Sequence, residues 1–84
     1  MKWLVLVLMM GIESDGARNT WIYLEPKFDN FEQCQTYVYR QAPMIQQHMA
    51  SEYNGQPIDT IFCIQEDKLP KLLEYNNNVK GLSA

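Results

Sequence analysis

Residues 1–10 read MKWLVLVLMM, one lysine followed by apolar side chains without a break. Two structures fit such a run: a strand buried on both faces of a sheet, or the apolar stretch of an export signal. A signal needs a small residue three positions before its cleavage point, and the candidate site ending at Ala17 has Asp15 there. The run also falls well short of the roughly 20 apolar residues that span a bilayer. It predicts a strand near Lys2 to Met10, with export or membrane attachment through residues 1–10 as the alternative. A strand apolar on both sides belongs in the middle of a sheet.

Outward from that strand, GIESDGARN (residues 11–19) is a polar loop flanked by glycine, and TWIYLEP (residues 20–26) is rich in aromatic and β-branched residues up to a proline. This predicts a second strand over Thr20 to Glu25, antiparallel to the first and ended by Pro26. Asp29 followed by Glu32 resembles a capping box that opens a long helix. Phe31, Cys34, Val38, Ala42, Ile45 and Met49 then recur at spacings of three and four, an apolar stripe, with Pro43 expected to kink the helix. Asn54, Gly55 and Pro57 make a turn into IDTIFCIQ (residues 58–65), a third strand. Asp67 is placed to cap a short helix through Leu69, Leu72 and Leu73, and Asn76 to Asn78 end the pattern in a frayed tail over residues 77–84. The order β-β-α-β-α gives a single α+β domain over residues 1–84: a small antiparallel three-stranded sheet of order 2-1-3, with one long kinked helix on one face.

Alternation along the strands makes both sheet faces apolar, and one long helix covers only one of them. A contiguous apolar face left in water marks an interaction site. The expected partner is a second copy of the chain packing sheet on sheet, or another protein. Trp3, Trp21, Tyr23, Arg40 and Phe62 are the residue types and positions expected to carry that contact.

Composition narrows the chemistry. In 84 residues, 46% are hydrophobic, and seven Lys and Arg against ten Asp and Glu leave a net charge of −3, so the chain folds but offers no basic field for nucleic acid. His48 is the only histidine and has no orienting carboxylate or nucleophile evident beside it, so it reads as a residue bordering the apolar stripe. The cysteines and histidine lack metal-ligand spacing, and the glycines form no phosphate loop. A non-enzymatic module is expected, without cofactor or metal. Cys34 and Cys63 fit either a disulfide or two buried thiols; a bridge would contribute roughly 3.5 kcal/mol by loop closure and would imply an oxidising compartment. The chain is otherwise expected in the cytoplasm, with a periplasmic or secreted location as the alternative.

The MKWLVLVLMM start, the strand NTWIYLEP, the helix start FDNFEQC with Cys34, and the IFC strand with Cys63 together resemble the small proteins of unassigned activity found in tailed bacteriophages of aquatic bacteria, including cyanophages. The resemblance covers most of the chain. It implies a viral accessory protein that acts on a host protein in the host cytoplasm, and it carries over no functional residues.

Overall fold

A computed structural model describes residues 2–12, 16, 18–76 and 78–81. The apolar run forms β1 (Trp3–Ile12), followed by β2 (Arg18–Phe28), the helix α1 (Phe31–Glu52), β3 (Ile58–Gln65), a single 3₁₀ turn (Glu66–Lys68), α2 (Leu69–Tyr75) and β4 (Val79–Lys80). The sheet order is β3-β1-β2-β4, with β1 antiparallel to both neighbours and β4 parallel to β2. The class is α+β. The expected three-stranded antiparallel sheet is corrected to a four-stranded mixed one with two helices. Val79 and Lys80, within the stretch expected to fray, are its fourth strand. Asn77 and residues 82–84 of that tail lie outside the described residues, as do Asp15 and Ala17 of the candidate cleavage site.

The fourth strand is held by the asparagines that read as a stop signal. The Asn76 amide donates to the Arg18 carbonyl at 3.1 Å and to the Thr20 hydroxyl at 3.0 Å, while its own oxygen accepts from the Asn78 N–H at 2.8 Å. The Thr20 N–H in turn donates to the Asn78 carbonyl at 3.1 Å. An Asx turn thus lays the chain against β2.

Local expectations also change at Pro26 and at the start of α1. Pro26 does not end β2, which runs on to Phe28. Between the pairs Val5–Tyr23 and Trp3–Phe28 the second strand carries extra residues, and Pro26 sits in that irregular stretch, where no ladder bond is demanded of it. Pro43 lies inside an unbroken α1. The helix cap is Asn30, not Asp29: the Asn30 side chain accepts from the Gln33 N–H at 2.9 Å, and Gln33 reaches back to the Asp29 N–H at 3.2 Å. Asp29 pairs with Lys2 instead, and that hydrogen bond and charge lower its carboxyl pKa.

The two faces of β1 are buried by different elements. Val5, Val7 and Met9 pack with Cys34, Ile45, Met49, Tyr53 and Cys63 beneath α1. Leu4, Leu6 and Ile22 pack on the opposite face with Leu69 and Leu72 from the C-terminal turns and with Val79. Cys34 and Cys63 form a disulfide joining α1 to β3. The expectation that the second face lies open is therefore corrected over most of its area. Phe62, Met10 and Ile12 remain, 40%, 56% and 63% exposed.

Candidate functional site

The open feature of the fold is an edge. β3 is terminal in the sheet, and among the described residues no strand lies against its outer side. The direction of its polar groups follows from one bond: the Glu66 N–H donates to the Lys2 carbonyl at 2.8 Å. Antiparallel ladders alternate, so Ile64, Phe62 and Thr60 turn their N–H and C=O toward β1, while Ile61, Cys63 and Gln65 turn theirs outward. Toward the start of the strand the pairs Leu8–Thr60 and Met9–Ile58 leave Asp59 as the extra residue of a bulge. The regular bare edge is thus Thr60 to Gln65, six residues that include neither lysine nor proline, the usual guards of an edge strand.

Side chains flank this edge on both faces. On the helix side, Gln35, Thr36, Val38, Tyr39 and Arg40 of α1 and Ile61 line an open groove of about 740 Å³. Tyr39 is 87% exposed there. Arg40 makes no ion pair among the described residues. The positions three and four away on the helix, Thr36, Tyr37, Pro43 and Met44, supply no carboxylate. On the other face Phe62, opposite Leu6, stands partly in water.

The support is stiff. The Cys34–Cys63 bond fixes β3 to α1 less than two turns before Arg40. Arg18–Asp59 ties β2 to β3 across β1, and Lys27–Glu66 (2.6 Å) ties β2 to the turn that follows β3.

The five residues expected at the contact do not share one surface. Arg40 and Phe62 flank the β3 edge. Trp3, Trp21 and Tyr23 lie under or beside α1: Trp3 meets Phe31 edge-on at 5.2 Å, and Trp21 meets His48 at 5.0 Å and Tyr53 at 6.4 Å. Their aromatic surface is used in packing.

A second polar cluster surrounds His48, which the sequence places merely at a border. The Tyr23 hydroxyl lies 2.6 Å from His48 Nδ1, and His48 Nε2 lies 3.5 Å from Glu52. Burial, then the negative charges of Tyr37 and Glu52, push the Tyr23 pKa up to about 12. Tyr23 therefore keeps its proton, and its hydroxyl joins β2 to His48 on α1 through this contact. The cluster adjoins a shallow cleft of about 310 Å³ lined by Trp21, Tyr23, Leu24, Glu25, His48 and Gly81. A phenol used as nucleophile or base needs its pKa lowered, and here burial raises it. The arrangement fastens α1 to β2. The expectation that no carboxylate stands beside His48 is corrected: Glu52 lies one helical turn on, a spacing that signals the pair, whereas Tyr23 comes from 25 residues away and has no such signal.

No helix among the described residues is long and apolar enough to cross a membrane. Compared with protein-family models, with curated proteins and with solved structures, the chain matches none.

Proposed function

We propose that this chain is a small protein-binding module that takes up an extended segment of a partner as an added strand along β3. The observation that carries the reading is the bare edge from Thr60 to Gln65, flanked by Tyr39 and Arg40 on one face and Phe62 on the other. Strand addition draws affinity from main-chain hydrogen bonds and specificity from alternate side chains, and this edge offers both. Tyrosine, arginine and phenylalanine are residues that protein interfaces favour. In a phage setting the partner would be a host protein.

Gln65→Pro tests the reading with little cost to the fold. Gln65 has φ −73°, which proline adopts, and its N–H points away from β1. Extended peptides selected by display against the native protein should shift the amide resonances of Ile61, Cys63 and Gln65, and should lose about threefold to tenfold in affinity for the proline variant, the worth of one net hydrogen bond. Selected peptides that map only to the His48 cleft would sink the proposal.

The disulfide favours a second statement, about location. A bridge between buried cysteines persists where the environment is oxidising, which supports a periplasmic or secreted site of action over the cytoplasm. Removal of residues 1–17 would take away the central strand, so this reading does not rest on cleavage there. Thiol titration of protein isolated under alkylating conditions tests it: a bridged chain supports the reading, and two alkylated cysteines overturn it.

A further inference from the structure

We infer, resting on the strand-addition reading, that the segment received by β3 belongs to another protein and carries one carboxylate placed to meet Arg40, with apolar residues on either side of it. The argument is one of charge and alternation. Arg40 lines the groove beside Ile61 and has no anionic partner among the described residues. An incoming strand alternates its side chains between the two faces. The residue on the α1 side beside Ile61 meets the guanidinium, and its two neighbours turn to the other face, where Phe62 offers apolar surface. The motif received is apolar–acidic–apolar in an extended conformation. A single carboxylate is the fit, because the chain's net charge of −3 opposes a longer acidic tract.

A second copy of this chain fits less well. Two β3 edges pairing about a two-fold axis normal to the sheet put both helices on one face. In the register that sets Phe62 opposite its copy, Ile61 lies opposite Cys63, and the two grooves that Arg40 lines come onto the same face. The edge itself offers them no acid: from Thr60 to Gln65 it has no charged residue, and Asp59 is already paired with Arg18. Like charges brought together in this way disfavour the pairing.

The test uses three blocked eight-residue peptides of alternating valine and threonine, with glutamate, glutamine or lysine at one central threonine position. Each is titrated into the ¹⁵N-labelled full chain and into Arg40→Gln and Arg40→Glu. The glutamate peptide should bind at least about fivefold more tightly than the glutamine peptide, should lose that preference in 1 M salt and in Arg40→Gln, and should yield to the lysine peptide in Arg40→Glu. If all three peptides bind alike and shift Ile61, Cys63 and Gln65, strand addition stands and the acidic partner is refuted. If the same amides shift with protein concentration alone, the occupant is a second copy and the inference fails. If none of the peptides moves those amides, the strand-addition reading fails with it.

Discussion

Cys34 on α1 is bonded to Cys63 on β3, 29 residues further along the chain, so the helix is anchored to a strand whose outer flank is bare among the described residues. The bond fastens α1 to β3 and removes freedom from the unfolded chain. Loop-closure entropy for that separation amounts to about 3.5 kcal/mol. Cys34→Ala with Cys63→Ala should lower unfolding stability by about 2–4 kcal/mol in urea titration. A loss below about 1 kcal/mol would show that the bridge constrains little.

Tyr23 sets an alkaline limit. Its phenol is held neutral to a pH near 12 in the fold, against about 10 when exposed, so its contribution is complete below pH 10 and is lost as pH rises from 10 toward 12. Spectroscopic titration of tyrosinate should show one component near pH 12 that disappears in Tyr23→Phe. The native chain should also lose stability across that window more steeply than the variant. Equal slopes would mean that the burial of the Tyr23 phenol does not govern the titration.

Asn76 holds β4. Replacing it by alanine removes its bonds to the Arg18 carbonyl and the Thr20 hydroxyl and opens the Asx turn at Asn78. Asn76→Ala should cost about 1–2 kcal/mol and speed amide exchange at Thr20, with β3 unaffected. Unchanged exchange at Thr20 would show that β4 is held by other contacts.

The helix start separates two neighbours. Asn30→Ala should destabilise by about 1 kcal/mol in urea titration, the worth of an N-cap, and Asp29→Ala by less, because Asp29 supplies no cap bond. The reverse order would return the cap to Asp29.

Periodicity made much of this structure legible and punctuation obscured part of it. The run at Trp3 to Met10 declared a central strand because both of its faces are apolar, and the spacing of Cys34, Ile45 and Met49 placed them on the buried side of α1. Pro26, Asn76 and Asn78 mislead for the same reason: each is a stop signal when read locally, and in the fold each is accommodated by β2. Aromatic content made Trp3, Trp21 and Tyr23 candidates for a contact, although aromatic rings serve cores as readily as interfaces. Which strand keeps a bare edge is settled only once strand order is known. Arg40 and Phe62 become neighbours of that edge only because α1 crosses the sheet beside β3.

The bareness of β3 is measured most directly by amide hydrogen exchange in the native state, residue by residue from Thr60 to Gln65. Thr60, Phe62 and Ile64 should exchange slowly and Ile61, Cys63 and Gln65 fast, and saturating amounts of a bound extended peptide should slow the fast set at least about tenfold. Slow exchange at all six positions in the free protein, or no slowing of Ile61, Cys63 and Gln65 by a bound peptide, would contradict strand addition.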